Sequence, residues 1–179
     1  MMPVVEQLMA NHIGIIEHDT LPGIVARMTP ENARAINAIK RRMPNKGFIV
    51  LIPSVDWVSP LATSVSEQAK VLMAKHWPGP LTIILNKHPN VPDAITGGRA
   101  TIALRYPKHA LLTSVLMELN EPLLSTSANM STYTGITPAL LNAVQFTHGD
   151  IHGEGMASTI VDATSSEVTV IRQGALRLP

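Results

Sequence analysis

Three features of the sequence have the residue types for chemistry. The first is a cation cluster: Lys40, Arg41, Arg42 and Lys46 fall within seven residues. A guanidinium grips phosphate or carboxylate oxygens in a two-point fork, and an ammonium adds a compact point charge, so the cluster suits a polyphosphate. The same residues also close a helix, where solvated Lys and Arg offset the dipole by about 0.3–1 kcal/mol. The second feature is Leu123-Leu124-Ser125-Thr126-Ser127-Ala128-Asn129-Met130-Ser131. Its apolar pair reads as the end of a buried strand. The run after it then lies at the strand's carboxyl edge, where ligands sit in open α/β sheets. Hydroxyls and the Asn amide both donate and accept, so the run suits carboxylate, amide or phosphate oxygens. Its alternative is a capping turn into the helix opened by Thr137-Pro138. The third feature is a cation at a strand end. Arg105 closes the apolar stretch from Thr101, and Arg172 closes the stretch from Val168. A charge so placed must meet water, a carboxylate or a ligand.

Two further pairs read as inert. His18 and Asp19 are neighbours, and neighbours on a strand face opposite sides, which disfavours an acid–base dyad. His148 and His152 lack a third ligand and are separated by a glycine, which argues against a metal site. No Walker or dinucleotide glycine loop is present, and no side chain stands out as a covalent nucleophile.

These groups need a scaffold, and the composition supplies one. The 179 residues are 45% hydrophobic and 15% charged, with a formal net charge of +1. That fits one domain, or at most two small ones, with a sizeable core, and it disfavours disorder and a general nucleic-acid coat. Cysteine is absent, which excludes disulfides and thiolate metal sites. No apolar run reaches membrane-span length and the start lacks a signal-peptide pattern, so a soluble, cytoplasmic protein is expected.

Helix and strand signals alternate along the chain. Helices are predicted over 3–11, from Thr29-Pro30-Glu31 to Lys40, from the Ser64-Val65-Ser66-Glu67 capping pattern to His76, over 110–119, and from Thr137-Pro138 to Val144. Strands are predicted over 13–16, 48–52, 81–85, 101–105, 158–162 and 168–172, with loops at 17–23, 77–80, 96–99 and 153–155. The pattern is that of one α/β domain whose ligand lies along one edge of a sheet.

Lys40-x-Arg42, Trp77-Pro78-Gly79-Pro80-Leu81-Thr82, Ala103-Leu104-Arg105 and Ser125-Thr126-Ser127-Ala128-Asn129 occur in the order seen in one family. On these motifs the chain resembles the YrdC/TsaC-like family, the threonylcarbamoyl-AMP synthases that begin threonylcarbamoyl modification of tRNA adenosine. The late Ser158-Thr159-Ile160-Val161-Asp162 and Ile171-Arg172-Gln173-Gly174 look like that family's closing strands. Together with the alternation of elements, the resemblance implies a single domain spanning 1–179, a YrdC-like α/β fold with a twisted, mixed parallel/antiparallel sheet and flanking helices.

It also implies a reaction. Threonine and bicarbonate (or carbon dioxide) would give N-carbamoyl-threonine, which attacks ATP to yield threonylcarbamoyl-AMP and pyrophosphate. The residues implied to hold the nucleotide are Lys40, Arg42, Thr101, Ser127, Asn129 and Arg172. Those implied to hold threonine are Thr20, Arg105, Ser125 and Ser158. Mg2+ would accompany ATP, and the implied partners are tRNA and its threonylcarbamoyl transfer machinery. Catalysis would then be positioning plus electrostatics.

The sequence departs from the family in one stretch. The family usually writes Pro-Thr-Glu-Thr-Val-Tyr-Gly-Leu where this chain has Glu17-His18-Asp19-Thr20-Leu21-Pro22-Gly23-Ile24. Thr20 and Gly23 are kept and Asp19 is acid for acid, but the Tyr has become Pro22. The change predicts weaker and less selective threonine use. It also motivates two alternatives: a nucleotide- or RNA-binding module on the same fold that has lost the chemistry, and an adenylating enzyme for another small amine.

Overall fold

The alternation of apolar residues along each strand sorts them onto the two faces of one sheet. The structure, a computed structural model, describes residues 2–129, 135–152 and 155–178. Its strands are β1 (Gly14–Ile16), β2 (Gly23–Arg27), β3 (Ile49–Leu51), β4 (Leu81–Asn86), β5 (Thr101–Arg105), β6 (Leu123–Ser127), β7 (Phe146–His148), β8 (Thr159–Asp162) and β9 (Thr169–Arg172). Their order across the sheet is β7-β1-β2-β6-β3-β5-β4-β8-β9. The pairs β1–β7, β3–β5 and β4–β8 are parallel and the other neighbours antiparallel, so the sheet is mixed as expected.

Helices cover the two faces unequally. Ile15, Ile24, Ala26, Val50, Ile83, Leu104 and Leu124 point into a large core. That core also takes side chains from α2 (Pro30–Lys40), α3 (Val58–Leu61), α4 (Glu67–His76), α5 (Asp93–Thr96) and α7 (Pro138–Ala143). Ile16, Val25, Leu51 and Leu123 point the other way, under α1 (Val4–Met9) and α6 (Ala110–Leu119). These two helices cover only part of their face. The register row Val25–Ser125–Ile49–Ala103–Ile84–Asp162 crosses six strands. Val25 is buried, whereas Ile49, Ala103 and Ile84 are only half-buried. An open sheet face is thus left beside α1 and α6.

The caps predicted at Thr29 and Thr137 form, but the Ser64-Val65-Ser66-Glu67 capping box does not, because α4 starts at Glu67 itself and Ser66 is its N-cap. The Thr29, Ser66 and Thr137 hydroxyls accept from Asn32 N, Ala69 N and Leu140 N, satisfying otherwise orphaned donors. No described helix is long and apolar enough to cross a membrane.

The structure corrects the sequence reading at several places. β2 and β7 were not foreseen, because Pro22-Gly23 reads as a turn and conceals the apolar run behind it. β6 begins at Leu123 rather than ending there, and Ser125, Thr126 and Ser127 are strand residues. The capping-turn reading of the hydroxyl run therefore fails, since Thr137 alone caps α7. Met130, Ser131, Gly153 and Glu154 lie outside the described residues.

Gly97 closes α5 at φ +65°, and a Cβ there would stand 2.5 Å from the carbonyl carbon and oxygen of Asn45. This close approach seats the loop that follows α2. Left-handed backbone costs an L-residue about 1–2 kcal/mol and overpacking about 1–3. Gly97→Ala is therefore expected to destabilise by about 2–5 kcal/mol in urea unfolding. A loss below about 1 kcal/mol would show that the loop is not held there.

Candidate functional site

Lys40 sits in the last turn of α2 and is buried, with 4% of its surface exposed. Its ammonium donates to Ser127 O, to Thr126 Oγ1 at 3.3 Å and to Asn129 Oδ1 at 3.2 Å. The Ser127 hydroxyl donates to the same Asn129 oxygen at 2.6 Å. Asn129 Oδ1 is thereby committed, which leaves Nδ2 as the donor end of the amide. Arg42 donates through Nη1 to Thr126 Oγ1 at 3.3 Å and through Nη2 to Lys46 O at 3.1 Å, and its guanidinium lies 4.1 Å from the Phe48 ring centre. The solvated-terminus reading thus holds for the exposed Arg41 and Lys46, but not for Lys40 and Arg42. Burial, then Arg42 and Lys46, lowers the Lys40 pKa to about 8, and burial lowers that of Arg42 to about 10.

A second set surrounds Arg105, which is 3% exposed. It donates to Gly79 O at 3.2 Å, to Thr20 Oγ1 at 2.9 Å and to the Asp19 carboxylate, which also accepts from Lys108 N at 3.0 Å. Of the three outcomes open to a charge at that strand end, a carboxylate partner is the one realised. A guanidinium has five N–H donors, so donors remain beyond these three contacts. Ser158 Oγ lies 2.8 Å from Thr82 Oγ1 and accepts from Arg172 Nη2 at 3.3 Å, and Ser158 O accepts from Arg172 as well.

Most of these groups border connected hollows, but Lys40 and Arg42 line none of them and stand behind Thr126, Ser127 and Asn129, which do. A cavity of about 240 Å³ is lined by His18, Thr20, Gly23, Arg105, Ser125 and Ser158, among others. A second, of about 430 Å³, is bounded by Pro22, Asn129, Ile136 and His152. The two share Leu21, Ser127, Ala157 and Arg172. A third, of about 220 Å³, holds Thr101 with Arg99 and Ile171, and shares Gly47, Ile49 and Ile160 with the first. The site therefore lies across a face of the sheet and not along one edge. The hydroxyls of β6 are offered sideways from within a strand, where the sequence reading placed them beyond its end.

Of the residues singled out, Lys40, Arg42, Ser127 and Asn129 share one network through Thr126 and Asn129. Thr20, Arg105, Ser125 and Ser158 share one cavity. Arg172 lines both the first and the second hollow, while Thr101 stands apart in the third. Sequence reasoning placed Thr126 in the hydroxyl run and Thr82 in the Trp77-Pro78-Gly79-Pro80-Leu81-Thr82 motif without a role for either; Thr126 receives both cations and Thr82 meets Ser158. The same reasoning weighed Asp19 against His18 and as the acid kept in the altered stretch, with no partner among the cations. No hydrogen bond joins those two among the described residues, and Asp19 serves Arg105. His18 reads as inert beside Asp19 in the sequence, and its Nε2 is a buried atom without a hydrogen-bond partner among the described residues. Such an atom costs about 1–3 kcal/mol when left unpaired.

Known proteins share this fold. The Sua5/YciO/YrdC family model, described as telomere recombination, matches residues 6–174. A threonylcarbamoyl-AMP synthase of Pyrococcus abyssi is 36% identical over 170 residues, covering 89% of this chain and 49% of the relative. One of Chromobacterium violaceum is 31% identical over 164 residues, covering 87% of this chain and 85% of the relative. The crystal structure of P. abyssi Sua5 complexed with L-threonine superposes with a TM-score of 0.85 at 30% identity, over 96% of this chain and 53% of that one. The chain thus spans about half the length of the P. abyssi relative.

Proposed function

The chain belongs to the Sua5/YciO/YrdC family, and from that premise we propose that it is a threonylcarbamoyl-AMP synthase acting on L-threonine, bicarbonate or CO2, and ATP. The observation that carries this reading is the adjacency of two unlike hollows. One is ringed by a buried guanidinium and hydroxyls, the other is bordered by Ser127 and Asn129 of the Lys40 network, and they meet at Ser127 and Arg172. Arg105, with Thr20, Ser125 and Ser158, holds the amino acid and takes its carboxylate. Lys40, Arg42, Ser127, Asn129 and Arg172 hold the nucleotide; Thr101 lines the third hollow, which adjoins the amino-acid cavity and shares no lining residue with the Asn129 hollow.

Placed this way, the amino acid's nitrogen and the α-phosphorus come together at the shared wall. The amine attacks the carbon of CO2 and loses a proton, giving a carbamate. A carbamate oxygen then attacks the α-phosphorus of ATP. The bond from that phosphorus to the bridging oxygen breaks, and pyrophosphate leaves with the electron pair. The protein supplies orientation and positive charge for the leaving phosphates. Among the described residues no three His, Asp or Glu side chains gather around a metal position. That donor set suits a magnesium ion carried by the ATP phosphates rather than one held by the protein. The product then passes to the machinery that modifies tRNA.

The test is incubation with ATP, bicarbonate and labelled threonine. Threonylcarbamoyl-AMP and an equal amount of pyrophosphate are expected. Tight ATP binding with neither product would instead favour a nucleotide-binding module without the chemistry.

Lys40 also makes the reading pH-sensitive. Its ammonium is charged below about pH 8 and neutral above it. ATP affinity is expected to fall as the pH rises through about 8, by up to about tenfold per unit. The unfolded chain keeps this proton to about 10.5, so between about 8 and 10.5 it binds more protons than the folded chain. The contribution of Lys40 to stability therefore rises with pH over that window. ATP titrations at several pH values check the first effect, and Lys40→Met should flatten the profile.

A further inference from the structure

His18 is 7% exposed and lines the cavity that contains Arg105. Its Nε2 is buried and without a partner among the described residues. Native proteins pair nearly all such atoms, so an unpaired one calls for an explanation. The position of the ring narrows the choice. A Cβ built on Gly23 would lie 2.6 Å from His18 Cε1, 2.9 Å from His18 Nε2 and 3.1 Å from Ser125 Oγ. The nitrogen and the hydroxyl therefore flank the same space, which stays open because residue 23 has no side chain. Gly23 and Ser125 line the same cavity.

The imidazole is neutral, because burial first and Arg105 second lower its pKa to about 3. A neutral ring forms one hydrogen bond at Nε2 and offers no charge. Within the amino acid of the proposed reaction, the carboxylate suits Arg105, and the amine must remain open for attack on CO2. A side-chain hydroxyl is the group left for an uncharged partner.

We propose that His18 is a specificity-determining residue of this cavity, its Nε2 bonding the side-chain hydroxyl of a β-hydroxy amino acid held by Arg105. The inference rests on the amino-acid reading above and adds what that site selects. It also accounts for the altered stretch: Pro22 borders the Asn129 hollow, so the change that bears on selection is His18.

The test is calorimetric titration of the ATP-loaded protein with L-threonine and with L-2-aminobutyrate, which lacks only the hydroxyl. The parent is expected to prefer threonine by about tenfold. His18→Leu should erase that preference and leave ATP affinity unchanged, and His18→Gln, which keeps a hydrogen-bonding end, should restore part of it. A folded His18→Leu variant that discriminates as the parent does overturns the inference and leaves the amino-acid reading intact. A parent that binds ATP but neither amino acid overturns both. Should His18→Leu fail to fold, the 15N chemical shift of His18 Nε2 in the parent decides. It should move with threonine and not with 2-aminobutyrate, and a shift unmoved by threonine overturns the inference.

Discussion

The Lys40→Met, Arg42→Met double variant is expected to bind ATP at least about tenfold more weakly than the parent. Each hydrogen bond to a charged group contributes about 1.5–3 kcal/mol, roughly ten- to hundredfold in affinity. The two losses should not add fully, because both cations donate to Thr126 Oγ1 and neighbouring contributions couple. Lys40 has a second role, since its ammonium ties the end of α2 to Ser127 O and Asn129 Oδ1. Its loss therefore also loosens the turn that presents Asn129. Calorimetric titration with ATP, with thermal melting as the folding control, separates the two effects. A double variant that melts cooperatively and binds ATP like the parent would remove these residues from the nucleotide site.

Asp19→Ala is expected to destabilise the fold by about 3–5 kcal/mol, the usual cost of leaving one member of a buried ion pair alone. The side chains of Arg105 and Asp19 are 3% and 13% exposed. Without Asp19 the guanidinium keeps Thr20 Oγ1 and Gly79 O but loses its only described countercharge, and Lys108 N loses its acceptor. Combining Asp19→Leu with Arg105→Met removes both charges. That pair should recover most of the stability, since apolar replacements of a buried pair are often neutral or better. It should nonetheless abolish threonine binding, because the carboxylate partner is gone. Urea unfolding and threonine titration on the three proteins give the answer. A loss under about 1 kcal/mol for Asp19→Ala would mean that Arg105 does not depend on this carboxylate.

Local rules were enough for much of this molecule. The apolar runs Ile13–Ile16, Phe48–Ile52 and Leu81–Leu85 announced strands β1, β3 and β4. Hydroxyls before helical runs announced the caps at Thr29 and Thr137, and the order of short motifs announced the family. All of these depend on residues a few positions apart, where periodicity and capping act. The sequence also held Lys40 and Arg42 together, because they share one helix end. What it could not state is what those residues touch. Lys40 meets Ser127 O across 87 positions, and Arg105 meets Asp19 across 86. Such pairings follow from the register of β2, β6, β3 and β5, and β2 itself was concealed by a turn signal. The open sheet face is likewise a tertiary fact, because α1 and α6 cover Val25 and Leu123 and stop short of Ile49 and Ala103. That placement turned Ser125 from a loop hydroxyl into a cavity wall. It also made His18, an unremarkable neighbour of Asp19 in the sequence, a buried nitrogen without a described partner: its burial is set by elements distant in sequence that pack around it, and no local pattern encodes them.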